Sequence, residues 1–196
     1  DISINGGTFD QTAILLNGMS LSSAQTGHNA ADFPVSISDI ERIEIVSGPA
    51  ARLMGASAFG GAINIVTRRP KESNISLRAE GGSFGTFDTG ATMTISKGAP
   101  QTMIATGYGQ SDGGTENSDF HQRRAYWQGS YAKTDYSLRW QTGITSRDYG
   151  ASTFYSARFN NQYETTRRII ASVAADVAIP GTGVVVSPMI YEIGRA

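Results

Sequence analysis

The 196-residue chain contains no cysteine, which excludes disulfides, thiolate metal sites and cysteine nucleophiles. Histidine is nearly as scarce. His28 and His121 are the two copies, so a histidine-based metal site would need carboxylate help. Charged residues make up 17% and nearly cancel, for a formal net charge of -1. There is therefore no basic field to recruit nucleic acid. No apolar run reaches the roughly 18 residues that a membrane helix needs, an exclusion that leaves barrel strands untouched because their signal is much weaker. What the chain does have is glycine, 23 residues, nearly twice the usual share of about 7%. A glycine-rich, charge-poor chain of this kind leans towards β-structure.

The character of the sequence changes near Pro70. Before it, Thr12–Leu16 is a short apolar run closed by Asn17-Gly18, the strongest short hairpin signal. Leu21 to Phe33 reads as an exposed polar loop. Ser38 stands three residues before Glu41, a capping-box spacing that predicts a short helical turn. Ile43–Val46 and Ala62–Thr67 read as strands, with one or two helical turns between Ala50 and Phe59. Ile14, Leu16, Ile43, Ile45, Ile63 and Ile65 are expected to form one small core.

After Pro70 the apolar period becomes two. Phe87, Met93 and Ile95, Leu138 and Trp140, and Val173 fall on one parity, and Thr92, Arg139, Gln141 and Asp176 on the other. Such alternation predicts strands over 75–83, 87–97, 102–111, 122–132, 136–147, 165–179 and 183–193, in one antiparallel meander. Strands of about ten residues exceed the usual five or six and match the length that crosses a bilayer when tilted. Short connections alternate with the long polar stretches Ser111–Gln122 and Arg147–Glu164, as in outer-membrane barrels. Tyr126, Trp127, Tyr131, Tyr136 and Trp140 gather round one short turn like an interfacial girdle. A soluble β-sandwich with one wet face fits the alternation equally well, but explains neither the strand length nor the gathered aromatics.

Catalytic patterns are incomplete. Gly55 to Gly60 is followed by Gly61-Ala62 where a phosphate loop needs Lys and Ser/Thr. Phe59 stands where a nucleophile elbow needs glycine. A triad of Ser57, His28 and an acid has no support in spacing. The chain is expected not to be an enzyme, with no catalytic residues and no required cofactor.

The segment Ile40-Glu41-Arg42-Ile43-Glu44-Ile45-Val46-Ser47-Gly48-Pro49-Ala50-Ala51-Arg52-Leu53-Met54-Gly55, continued by Ala58–Thr67, resembles the plug of TonB-dependent outer-membrane receptors. Ile2–Gly7 and Ile14–Gly18 are similar to the earlier plug strands of that family, with Asn5 where the family usually carries arginine. Gln25-Thr26-Gly27-His28 and the Gly-Pro-Ala-Ala-Arg variant look most like the cobalamin-receptor branch of Bacteroidetes-type bacteria. The resemblance implies a mixed fold: a small α/β plug domain followed by antiparallel transmembrane β-barrel strands. Residues 1–70 would be the C-terminal part of the plug and 71–196 about the first seven strands, a fragment of a barrel of about 22 strands. The TonB box would lie outside it.

The function so implied is ligand-gated import across the bacterial outer membrane, in a setting of outer-membrane lipid and without nucleic acid. An energy-transducing protein of the TonB type would pull on the plug. The ligand would be a corrinoid such as cobalamin, or alternatively an iron–siderophore complex. A soluble β-sandwich adhesin and a hydrolase are the readings from other classes. Ser22, Ser23, Gln25, Thr26, Gly27, His28 and Asn29 are the candidate ligand contacts, because their polar loop leaves a plug strand and the resemblance places contacts there. Asp112, Glu116, Asp119 and Asp148 in the long loops are candidate calcium ligands, since that cation takes several carboxylate oxygens and the resemblance places calcium in the early barrel loops.

Overall fold

The structure, a computed structural model, describes residues 2, 4, 6, 11–22, 32–48, 51, 58–152 and 161–195. It divides into two compact units. One comprises residues 1–33 and 37–69, the other residues 34–36 and 70–196.

The first unit is built on a four-stranded mixed sheet in the order β2-β1-β4-β3. Its strands are β1 (Thr12–Leu16), β2 (Met19–Ser20), β3 (Ile40–Ser47) and β4 (Gly61–Thr67). β1 runs parallel to β4, and the other pairs are antiparallel. Asn17 and Gly18 both take positive φ, 51° and 83°, the requirement of a type I′ hairpin turn. The turn near Ser38 is a 3-10 turn over Ile37–Asp39. Glu41 already belongs to β3, so it closes no capping box. The helical turns expected at Ala50–Phe59 fall mostly outside the described residues, as does Asn5.

The expected isoleucine core is half right. Register places Ile14, Leu16, Ile43, Ile45, Ile63 and Ile65 on one face, but Ile43 and Ile45 are 57% and 67% exposed. β3 is the edge strand, and the burial of this face ends at β4. The compact cluster lies on the opposite face, where Ala13, Leu15 and Ala62 pack with Ala51, Ala58 and Val46. Small side chains let the backbone elements approach closely there.

A polar ladder ties this sheet together. Thr67 N–H donates to Asn17 Oδ1 and Asn17 Nδ2 donates to Thr67 Oγ1, both at 2.9 Å. Gly18 N–H donates to Asn64 Oδ1 at 2.9 Å, and Asn64 Nδ2 donates to Glu44 Oε2 at 2.8 Å. The Asn64 amide, and after it Arg42, holds the Glu44 carboxyl below its ordinary 4.5. The unfolded chain therefore binds the proton first as pH falls. Glu44's contribution is present above about pH 4.5 and is lost as pH drops through the lowered folded value. Hydrogen exchange of β3 and β4 amides should show acid loosening in the wild type, and a flatter acid limb in Glu44→Gln. Identical acid profiles would remove this role.

The second unit is an antiparallel meander of β5 (Asn74–Gly81), β6 (Phe87–Ser96), β7 (Pro100–Ser111), β8 (Phe120–Ala132), β9 (Tyr136–Gly150) and β10 (Tyr163–Ile179). β11 (Val184–Val186) and β12 (Met189–Arg195) both pair with β10. One register runs through both, from Val177↔Val186 to Ala174↔Met189. The seventh expected strand is therefore a single line interrupted at Ser187-Pro188, because proline has no N–H to give the ladder. Pro188 O still accepts from Ala175 N–H at 3.0 Å.

β6 to β10 run 10, 12, 13, 15 and 17 residues, enough for a tilted bilayer crossing. The connections 97–99, 133–135 and 180–183 lie at one end, and 82–86, 112–119 and 151–162 at the other. Register places the apolar set Phe87, Met93, Ile95, Leu138, Trp140 and Val173 on one face. All but Trp140 are exposed. Thr92, Arg139, Gln141 and Asp176 share the other, polar face.

The aromatic cluster forms on the apolar face beside the 133–135 turn. Trp127 meets Trp140 edge-on at 6.1 Å, Tyr131 lies 6.1 Å from Tyr136, and Lys133 Nζ sits 5.9 Å over the Tyr131 ring. Tyr126 is not part of it. Its parity turns it to the polar face, where it is 2% exposed.

Candidate functional site

Two regions carry polar side chains in a fixed arrangement. The first is the start of the loop that leaves β2. Leu21 is fully buried and its N–H donates to Ile14 O at 2.8 Å, which pins the base of the loop to β1. Ser22 is exposed, with its N–H directed at Ser20 Oγ at 3.4 Å. Ser23, Gln25, Thr26, Gly27, His28 and Asn29 lie outside the described residues.

The second region is the polar face of the strand unit. Asp88 on β6 is its electrostatic centre. Arg124 Nη2 on β8 donates to both Asp88 carboxylate oxygens at 2.9 Å, and Arg78 on β5 closes on Asp88 from the other side. Arg78 Nη1 also reaches Glu80 at 2.8 Å. Asp88 and Arg124 stand on strands separated by β7, so their side chains must cross it. Gly107 and Gly109 make the crossing feasible. A Cβ at Gly107 would lie 2.5 Å from Arg124 Nε, and one at Gly109 would lie 2.8 Å from Asp88 Oδ2. Arg124 Nε donates to Ser36 Oγ at 2.8 Å, and so holds residues 34–36 against the strands.

Further along this face, the Tyr126 hydroxyl lies 2.7 Å from Gln141 Oε1 and 3.1 Å from Gln128 Oε1. Arg139 Nη2 pairs with Asp176 at 3.0 Å, and Ser137 Oγ donates to the same carboxylate at 2.9 Å. Asp88, Arg124, Tyr126 and Gln128 were not among the candidates from sequence. Their signal is charge and amide at the polar parity of long strands, with glycines at the intervening strand.

The four carboxylates proposed for calcium are not gathered. Asp112 lies beside the 82–86 turn, with its N–H donating to Phe84 O at 2.8 Å. Glu116 is exposed on the 112–119 connection. Asp119 O accepts from Gly150 N–H at 2.9 Å, and the Asp148 carboxylate accepts from Thr165 Oγ1 at 2.7 Å. Among the described residues, no group of three or more His, Asp or Glu is placed to hold a metal ion. The connection is ordered by hydrogen bonds instead. Asn117 Nδ2 donates to Gln162 O at 2.6 Å, Ser152 N–H donates to Asn117 O at 3.1 Å, and Ser118 Oγ donates to Thr115 O at 2.7 Å. The arrangement does not fit a calcium cage, which needs six to eight converging oxygens.

Among the described residues, the polar strand face offers hydrogen-bonding and charged surface.

Comparison with known proteins agrees with this architecture. Residues 1–62 match the TonB-dependent receptor plug domain. The chain is similar to the vitamin B12 transporter BtuB of Photobacterium profundum, 36% identical over 95 residues, covering 47% of this chain and 15% of that protein. It is similar to the iron-regulated outer membrane virulence protein of Vibrio cholerae, 38% identical over 78 residues, covering 37% of this chain and 12% of that protein. Among solved structures, the alcaligin outer-membrane receptor FauA of Bordetella pertussis superimposes with a TM-score of 0.76 at 17% identity, over 98% of this chain and 32% of that one. The chain thus spans well under a third of these relatives' lengths in the two sequence comparisons and about a third in the structural one. The two sequence relatives named here come from Photobacterium and Vibrio.

Proposed function

From a chain that carries the TonB-dependent receptor plug domain and the outer-membrane barrel strands that follow it, we propose a part in the energy-coupled import of a scarce, large nutrient, with a corrinoid as the first ligand. The observation that carries the reading is the pairing of a plug with strands that are apolar on one face and densely polar on the other. A soluble sandwich has no use for an exposed apolar band of this height. The likeness to a vitamin B12 transporter supports the corrinoid. An iron chelate is the second reading, supported by the likeness to an iron-regulated outer-membrane protein.

In this mechanism the ligand is bound by extracellular loops and by the plug loop that begins at Ser22. Ser23, Gln25, Thr26, Gly27, His28 and Asn29 supply hydrogen bonds from that loop. A TonB-type energy-transducing protein then pulls on the plug, and the polar strand face offers the ligand a hydrogen-bonding path. No bond in the ligand is made or broken, so the protein acts as a transporter and not as an enzyme.

Calorimetry on the full-length receptor tests the ligand. Cobalamin should bind, and replacing Gln25 and His28 together with alanine should weaken it roughly tenfold or more, given about 1 kcal/mol for each lost hydrogen bond. Heat with an iron chelate and none with any corrinoid would select the second reading.

A further inference from the structure

The arginines of the strand unit differ in what they meet. Three on the polar face meet carboxylates, Arg78 and Arg124 at Asp88 and Arg139 at Asp176, and a fourth, Arg147, lies over the Phe120 and Tyr149 rings. Two others lie on the apolar parity. Arg123 on β8 and Arg167 on β10 are exposed, and among the described residues neither makes an ion pair or hydrogen bond. Register sets them in one row, Arg123↔Ser146 and Ser146↔Arg167, so their backbones are two strand spacings apart, roughly 10 Å. Tyr108 continues the row on β7, and its hydroxyl lies 3.2 Å from His121 Nδ1.

The position of this row is specific. Towards the short turns, β10 shows Ile169, Ala171, Val173, Ala175, Val177 and Ile179 at every second position. At about 3.3 Å per residue and a tilt near 40°, that stretch stands roughly 25 Å tall, the height of the apolar band of an outer-membrane barrel. Arg167 is the next residue of that parity. It lies just beyond the band, at the end that carries the long connections. Long loops mark the extracellular side, so the two guanidiniums sit at the headgroup level of the outer leaflet. The nearest carboxylate of that parity, Asp148 one row further out, accepts a hydrogen bond from Thr165 Oγ1 at 2.7 Å and makes no ion pair with either arginine.

We infer that Arg123 and Arg167, with Ser146 between them, form a docking site for the phosphate group of an outer-leaflet lipid. Guanidinium presents donors in a fork that matches phosphate oxygens. Two of them flanking a hydroxyl favour a phosphomonoester over a zwitterionic headgroup. The site rests on the reading of these strands as membrane-spanning.

The test uses the full-length receptor in vesicles, with a small fluorophore on Ile144→Cys as its sole cysteine. Ile144 is 47% exposed and lies one row below Ser146 on the same face, so the label reports on the acyl chains under the site. Quenching by chain-brominated phosphatidic acid is compared with quenching by chain-brominated phosphatidylcholine. Phosphatidic acid should be enriched about three- to tenfold at the label, less so in high salt. The enrichment should fall to parity in R123Q/R167Q and persist in R123K/R167K. Absence of enrichment in the wild type, or enrichment that survives R123Q/R167Q, overturns the site. Full displacement by millimolar inorganic phosphate shows an ion site and overturns the lipid assignment. No quenching by either lipid fails differently: it removes β9 from the bilayer, and with it the membrane-spanning reading.

Discussion

Asp88→Ala should cost about 3 kcal/mol of strand-unit stability, because one carboxylate neutralises two arginines. Removing one partner of a buried ion pair typically costs about 3–5 kcal/mol, most of it the desolvated charge left behind. The lower end applies here. The Arg124 side chain is 7% exposed, but Asp88 is 27% exposed and water screens part of the loss. Adding Arg124→Met should recover much of that loss, since the double variant leaves no buried guanidinium and fills its volume. Urea unfolding of the full-length receptor, with variants compared under one set of conditions, reads both numbers. A single variant within about 0.5 kcal/mol of wild type would show that the pair is an ordinary surface contact. Gly107→Val should mimic Asp88→Ala by a different route, because its Cβ would occupy the place of Arg124 Nε.

Leu15→Asp should unfold the plug sheet while leaving the strand unit intact. Leu15 is 2% exposed and packs with Ala13, Ala51, Ala58 and Ala62. Deleting such a leucine costs about 2–5 kcal/mol, and the carboxylate adds the penalty of a buried, unpaired charge. A four-stranded sheet of this size has little stability in reserve. Ile45→Asp, on the 67% exposed site of the edge strand, should stay within about 0.5 kcal/mol of wild type. Hydrogen exchange separates the cases. Leu15→Asp should remove protection from β1 and β4 amides but not from β7 to β9. Equal effects of the two substitutions would extend the core to the β3 isoleucines.

The strands after Pro70 were legible because their signal is local. Side chains alternate with period two, so the parity of Phe87, Leu138 and Val173 already assigns faces before any partner strand is known. The Asn17-Gly18 turn was legible for the same reason, since the residues that tolerate positive φ name the turn themselves. The plug motif from Ile40 to Thr67 carried the family in the same linear way. Local pattern could not say which side of a sheet is covered. Ile43 and Ile45 have the spacing of core residues, yet the sheet order makes β3 an edge, and that order is a matter of long-range pairing. Tyr126 looked like one more girdle aromatic because it is adjacent to Trp127, and only register turned it to the opposite face. The Asp88–Arg124 pair lies 36 residues apart in sequence and exists because three strands align with glycines in the middle one. Such a pair depends on register summed over two hairpins, information that no single segment contains. The carboxylates of the long loops were nearly as close in sequence as ligands would be, but among the described residues no three of them converge, and hydrogen bonds of Asn117 and Ser118 set the loop path instead. Composition and periodicity thus determined the class of fold and the face each strand residue takes. Tertiary pairing alone decided which charges meet, which apolar face is covered, and which arginines are left to find a partner outside the protein.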